Sequence, residues 1–245
     1  MRWLLCVLLA LPALALSGQA HATDPDPWDM LLKANVKGGK VHYAGFVDNA
    51  DFKAVVELVA QTDPEKLASR EAKLAFWINA YNALTISGVL KHWPGIKSVG
   101  DVAPDFGFFK NKDYTVGGKK LSLNDIENEI IRPTFKDPRI HAALNCASTS
   151  CPPLLPFAFT ADKLDAQLNQ AMSGFVLDRS RNAINAAAKT AKISSIFDWY
   201  KADFEAAGGV KAYLRSFLKD EAEKAALDAA TLEFLPYDWS LNKHP

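Results

Sequence analysis

Cysteine is scarce, at three in 245 residues, and one of the three, Cys6, lies in the apolar start of the chain. So few thiols cannot staple a chain of this size, which excludes a disulfide-dense scaffold. Neither sign of charge is in excess: 28 Lys plus Arg face 28 Asp plus Glu, and no run rich in Lys or Arg supplies a local patch. The electrostatic footprint of nucleic-acid binding is therefore missing. Also absent are a phosphate loop, a dinucleotide fingerprint, H-E-x-x-H and G-x-S-x-G, so the enzyme classes built on them lack support. No Cys-x-x-Cys pair is present, which leaves a metal site of Cys146, Cys151 and His141 without its usual spacing. No cofactor and no metal is expected.

What the chain has is 49% hydrophobic residues and 11% aromatics. At this length a chain buries about 70% of the surface it exposes when unfolded, enough for one large domain. The long apolar run is confined to the start. Residues 1–22 carry Arg2, an apolar stretch from Trp3 to Leu16, and then small residues ending in Ala20-His21-Ala22. That pattern predicts a cleaved signal peptide of the A-x-A type. A membrane anchor needs about 20 apolar residues, whereas Pro12 and Ser17-Gly18-Gln19 interrupt this run. Cleavage removes Arg2 and no acid, so residues 23–245 have a net charge of about −1. With no later spanning segment, the mature protein is expected to be exported, periplasmic or secreted, with no integral membrane segment. Its partners cannot be read.

After a short tether at Thr23–Pro27, helical spacing starts at Trp28 and recurs over 52–59 and 71–92, where Trp93-Pro94-Gly95 is a stop signal. The stretch 100–112 reads as an irregular aromatic loop, and Tyr114–Val116 as a short strand before a Gly-Gly turn. Ser122 and Asp125 predict the start of a helix that runs to Ile131 and is ended by Pro133. Residues 139–144, apolar on both faces, predict a buried strand. Thr160 caps a further helix with Leu164, Leu168, Met172, Phe175 and Val176 on one face. Strand pieces are expected at 183–185 and 191–193, helical spacing returns at 196–204 and 210–218, and 231–235 is strand-like. Intermixed helices and short strands, without repeats or linkers, predict a single α+β domain over 23–245, with helices packed on a short mixed or antiparallel sheet.

The densest chemistry lies between Arg139 and Pro153. His141, Cys146 and Cys151 share eleven residues, and thiolate chemistry needs a base within reach and a third group to hold the imidazole. An extended chain at about 3.3 Å per residue would part His141 from Cys146 by roughly 16 Å, so the backbone must bend for them to meet. A hairpin at Ser148-Thr149 would pair Cys146 with Cys151 as a disulfide. A bend at Cys146 would instead bring Cys151 beside His141 as a nucleophile. Both foldings remain open. Glu127, on the preceding helix, is a candidate to orient the imidazole, the plain alternative being a surface carboxylate paired with Arg132. Asn79 and Asn82 lie about 60° apart on a helix that is apolar nearly all round, so at least one amide is expected to be buried and bonded. It would serve either as a substrate-binding or polar support for the site or as a bracket to a neighbouring backbone. The aromatic-acidic stretches 196–204 and 237–239 read as surface elements with a core face.

The stretches FWINAYNALTI (76–86), GGKKLSLNDIENEIIR (117–132), DPRIHAALNCASTSCPPL (137–154), ISSIFDWYKADF (193–204) and YDWSLN (237–242) resemble the bacterial exported branch of the family catalogued as domain of unknown function 547. The resemblance implies an exported or domain-linked α+β module of unestablished activity. It also implies His, two Cys and a Glu as recurring polar residues, here His141, Cys146, Cys151 and Glu127. Many members carry His after that Glu, where this chain has Asn128. The expected function is a Cys-His-Glu thiol site with Cys146 or Cys151 as nucleophile, performing peptide-bond hydrolysis or acyl transfer. The alternative is a noncatalytic envelope binding module with a structural Cys146–Cys151 disulfide.

Overall fold

The structure is a computed structural model and describes residues 26–244. The predicted signal peptide, Cys6 and most of the tether lie outside the described residues. Helix α1 (Pro27–Asn35) starts where the Asp26 side chain accepts from Trp28 N, and it buries Trp28, Leu31 and Leu32. Strands β1 (Val36–Lys37) and β2 (Lys40–Val41) form a two-stranded ribbon. Helix α2 (Ala50–Gln61) is capped by Asn49 and buries Phe52, Val55 and Val59 at helical spacing. Helix α3 (Arg70–Leu90), capped by Ser69, is buried along most of its length. An element hydrophobic all round must lie inside a packed core, and α3 is the axis on which the first apolar cluster is built.

The aromatic stretch after α3 forms short turns and helix α4 (Gly107–Lys110), followed by the antiparallel pair β3 (Tyr114–Val116) and β4 (Lys119–Leu121). Gly117 and Gly118 join that pair at φ +54° and +76°, a backbone that L side chains resist. Ser122 and Asp125 then exchange hydrogen bonds, Asp125 N to Ser122 Oγ at 2.9 Å and Ser122 N to Asp125 Oδ2 at 3.0 Å. This reciprocal cap starts a helix as the sequence predicts. The helix does not stop at Ile131, however. A widened π-helical stretch, Asp125–Ile131, passes into α5 (Arg132–Phe135), with Arg132 N donating to Glu127 O. Pro133 follows directly where the widened turn passes into α5, and it does not end the helix.

The buried strand predicted at 139–144 is not formed. Pro138–Ala142 is a 3-10 turn capped by Asp137, and its apolar residues are buried on both sides because it is enclosed in the core. Beyond it, residues without regular structure lead to helix α6 (Leu164–Leu177). Side chains hold this segment. Asn79 brackets Phe159, donating to its carbonyl at 2.8 Å and accepting from its N–H at 2.9 Å. Gln167 does the same for Ala158 and Thr160, so buried backbone groups are satisfied without a ladder.

The three-stranded sheet orders β5 (Ala183–Asn185), β6 (Thr190–Ile193) and β7 (Thr231–Phe234), the first pair antiparallel and the second parallel. The crossover between β6 and β7 holds α7 (Ile196–Trp199), α8 (Lys201–Phe204), α9 (Gly209–Phe217) and α10 (Glu221–Ala229). The last has no counterpart in the predicted elements. A second apolar cluster around Met172, Phe175, Phe197 and Phe204 packs here. The class is α+β, as expected, with small separate sheets in place of one sheet. Among the described residues no helix is long and apolar enough to cross a membrane.

Removing the Asn79 amide leaves both Phe159 backbone groups unpaired. Asn79→Ala is expected to cost about 1–3 kcal/mol and lower Tm by several degrees, a loss read by thermal and urea unfolding.

Candidate functional site

His141 is held from three sides. Its side chain is 1% exposed, its ring stacks on Tyr200 with centroids 3.9 Å apart, and Phe204 lies 5.9 Å away. Nε2 is 2.7 Å from Asp203 Oδ2. A carboxylate can only accept, so Nε2 carries the proton in the neutral imidazole and the tautomer is set. The same carboxylate receives the Arg132 guanidinium in a two-pronged contact, Nε to Oδ2 at 2.7 Å and Nη2 to Oδ1 at 2.8 Å. Burial would raise the Asp203 pKa, but the hydrogen bonds and charges of His141 and Arg132 outweigh it and hold the carboxyl well below the usual range. Arg132 also lies 4.8 Å over the Tyr200 ring and donates to Asn128 Oδ1 at 2.8 Å.

The orienting contact expected of Glu127 is thus made by Asp203. Glu127 faces the other imidazole nitrogen, with Oε1 3.8 Å from His141 Nδ1, and it hydrogen-bonds the Tyr200 hydroxyl. Its expected surface alternative, pairing with Arg132, is not made, because Arg132 turns to Asp203 and Asn128.

The two cysteines lie on a turn whose backbone is fixed by buried amides. Asn82, 3% exposed, donates to Ala143 O at 3.0 Å and accepts from Asn145 N at 2.8 Å. Asn145 donates to Pro152 O at 2.9 Å and accepts from Ala147 N at 3.0 Å. Ala147 adopts φ 61°, a sparsely populated conformation for a residue with a Cβ. That twist brings Ser148 back towards the sulfur. Cys146 Sγ lies 3.1 Å from Ser148 Oγ and 3.2 Å from Tyr237 Oη, and the Ser148 backbone also bonds to it. Tyr237 accepts from Ser148 Oγ at 3.1 Å, which leaves its own proton for the sulfur.

Cys146 and Cys151 are both free thiols, so the disulfide expected on one reading is not formed. They are in different surroundings. Cys146 is partly exposed; burial pushes its pKa up, but hydrogen bonds from Cys151, Ser148 and Tyr237 bring it down to about 7. Cys151 is 3% exposed, accepts the Cys146 N–H at 2.9 Å and donates to Leu144 O at 3.7 Å. Burial and the neighbouring Cys146 push its pKa well up. Of the two, Cys146 is the sulfur equipped to ionise.

A cavity of about 450 Å³ is lined by Cys146, Cys151, His141 and Glu127, together with Tyr81, Leu144 and Tyr200. Phe106, Phe109, Trp199, Tyr237 and Trp239 form its aromatic wall, with Trp199 and Trp239 stacked at 5.8 Å. Asn79 and Asn82 do not line it. Asn82 supports it by holding the cysteine turn, whereas Asn79 braces the 158–159 segment. Among the described residues no group of three or more His, Cys, Asp and Glu is placed to hold a metal ion.

Asp203, Arg132, Tyr200, Ser148 and Tyr237 are the site residues that sequence reasoning missed. The signal lay in the stretches 196–204 and 237–239, which mix carboxylates with large aromatics. What conceals it is the break at Tyr200 (φ −109°, ψ 23°), which splits one apparent helix into α7 and α8.

The depressed pKa of Asp203 gives stability that is present above the unfolded carboxyl value, about 3.9, and is lost as pH falls through the lower folded value. Asp203→Asn is expected to cost about 1.5–3 kcal/mol at pH 7. Its deficit against the wild type should shrink as pH falls through the folded Asp203 value, which paired urea titrations from neutral to strongly acidic pH would read.

Residues 64–176 match the family model described as Protein of unknown function, DUF547. No curated protein and no solved structure matches the chain. The match takes in Asn82, Glu127, Arg132, His141, Cys146 and Cys151, and ends before the stretches 193–204 and 237–242 that also carry the resemblance. Residues 64–176, which supply the cysteine turn and the imidazole, belong to the DUF547 family.

Proposed function

We propose that this is an exported, thiol-dependent enzyme of acyl transfer or hydrolysis, with Cys146 as nucleophile and His141 as general base and acid. The observation that carries the reading is the placement of Cys146 Sγ, bonded by two hydroxyls, on the wall of a cavity that His141 also lines. The Asp203 contact fixes which imidazole nitrogen is free to move a proton. Asp203 is a positioning residue here, and Arg132 holds it.

The chemistry follows in two halves. The Cys146 proton passes to His141, the thiolate attacks a carbonyl carbon, and a C–S bond forms. The bond from that carbon to the leaving group then breaks, and the leaving group departs with the proton from His141. In the second half an acceptor, or water in hydrolysis, gives its proton to His141 and attacks the thioester, and the C–S electron pair returns to sulfur. Tyr237 lies beside the sulfur, where its hydroxyl proton favours the thiolate between turnovers, and Ser148 orients that hydroxyl by donating to it. Export rests on residues 1–22, whose apolar run and A-x-A ending fit a cleaved signal.

The test is alkylation with iodoacetamide, read by mass spectrometry at Cys146 and Cys151 separately across pH 5–10. Cys146 is expected to react with a half-maximal rate near pH 7, where an ordinary thiol of pKa about 8.5 is only a few per cent ionised. Cys151 should lag at every pH. Tyr237→Phe removes one hydroxyl from the sulfur and should move the Cys146 midpoint upward. A midpoint near 8.5 in the wild type, unmoved by Tyr237→Phe, would reject the thiol site.

A further inference from the structure

His141 Nδ1 is buried and, among the described residues, has no hydrogen-bond partner, although the imidazole is otherwise closely held. Across the gap stands Glu127 Oε1 at 3.8 Å, and both residues line the cavity that Cys146 lines. Because Nε2 donates to Asp203, Nδ1 of the neutral ring presents a lone pair. Glu127 is already bonded by the Tyr200 hydroxyl, and its carboxylate too can only accept. Two acceptors therefore face each other at a separation that neither can close. An atom bridging them must bring two protons.

We propose that this gap holds the amine nitrogen of the substrate, so that the bond made or broken through Cys146 is an amide and not an ester. The assignment rests on the thiol reading above and names its substrate class. In the direction of synthesis, a primary amine donates one N–H to Glu127 Oε1 and the other to His141 Nδ1. Its lone pair attacks the carbonyl carbon of the Cys146 thioester and an N–C bond forms. The C–S bond breaks, its electron pair returns to sulfur, and the nitrogen's proton passes to Nδ1, leaving amide, thiolate and imidazolium. Cleavage is the reverse: the imidazolium protonates the departing nitrogen while Glu127 accepts from its remaining N–H. An alcohol has one proton. If that proton is given to Nδ1, the Glu127 carboxylate is left facing oxygen lone pairs, which is repulsive. Glu127 thereby acts as a residue that selects nitrogen over oxygen.

The experiment forms the acetyl-enzyme with p-nitrophenyl acetate on the mature protein and verifies acetylation of Cys146 by mass. Loss of the acetyl group is then followed with glycinamide and with methanol at pH 8. Each rate is divided by that of the same acceptor with S-acetylglutathione, which removes intrinsic nucleophilicity. The wild type is expected to favour the amine, and E127Q, which turns a donor amide into the gap, is expected to lower the amine-to-alcohol ratio about tenfold. E127D, read alongside with circular dichroism of all proteins, should lower it as well by withdrawing the carboxylate. A fall of more than threefold in a folded variant supports the assignment, and a smaller one overturns it. If Cys146 of the wild type takes no acetyl group, the thiol reading fails and this inference falls with it. If Cys146 is acetylated and the ratio does not move, only the inference falls.

Discussion

The structure around the two cysteines depends on one chain of buried amides. Tyr43 Oη donates to Asn242 Oδ1 at 2.6 Å, Asn242 Nδ2 donates to Asn145 Oδ1 at 3.1 Å, and the Asn145 backbone donates to Asn82. These groups are 6% exposed or less. A buried amide left unpaired costs about 1–3 kcal/mol, so each member can be present only if the next is in place. The relay ties a turn near the N-terminus, the central helix α3, the cysteine turn and the C-terminal segment to one another. Residues 143–151 form no strand of their own, and the relay fixes them together with backbone bonds to the C-terminal segment, Asn242 N to Ala147 O at 3.0 Å and Thr149 N to Ser240 O at 2.8 Å. The left-handed Ala147 persists because its neighbours on both sides are held.

A second constraint acts on the imidazole. Asp203 takes two donors from Arg132 and faces Nε2 of His141, so α5, the turn that carries His141 and α8 meet at one carboxylate. Charge-assisted contacts of this kind are stronger than neutral ones, and the planar guanidinium adds direction. The π-helical widening before α5 matters here. It places Glu127 and Arg132 so that one carboxylate faces Nδ1 while the guanidinium reaches round to the carboxylate at Nε2. Such widened turns are found mostly as local insertions in α-helices, frequently at functional sites.

Much of this fold was legible in the sequence, for reasons that can be named. Apolar spacing was sufficient to find helices α2, α3, α6 and α9, with side-chain caps at α2 and α3 and a Gly-Gly turn before α9. The cap expected of Thr160 is not made, since α6 starts after Lys163 without a side-chain bond. Residues 139–144 misled because burial on both faces reads as an inner strand, whereas a 3-10 turn enclosed in a core buries both faces too. Helix α10 buries only Leu227 and went unseen. At the site, His141, Cys146 and Cys151 announced themselves by chemical type and closeness in sequence. Asp203 and Tyr237 did not, because their relation to the thiol is made only by tertiary packing across 62 and 91 residues. No spacing rule reaches that far.

The paired cysteines illustrate what this packing does to chemistry. Two neighbouring thiols cannot both ionise readily, since the first thiolate repels the second. The surroundings decide which of them carries the charge. Cys146 meets the Tyr237 and Ser148 hydroxyls and a backbone N–H, while Cys151 is sunk beneath it and turned to the Leu144 carbonyl, a partner that wants a proton. The asymmetry that separates their roles comes from the turn between them, whose shape the buried amides impose.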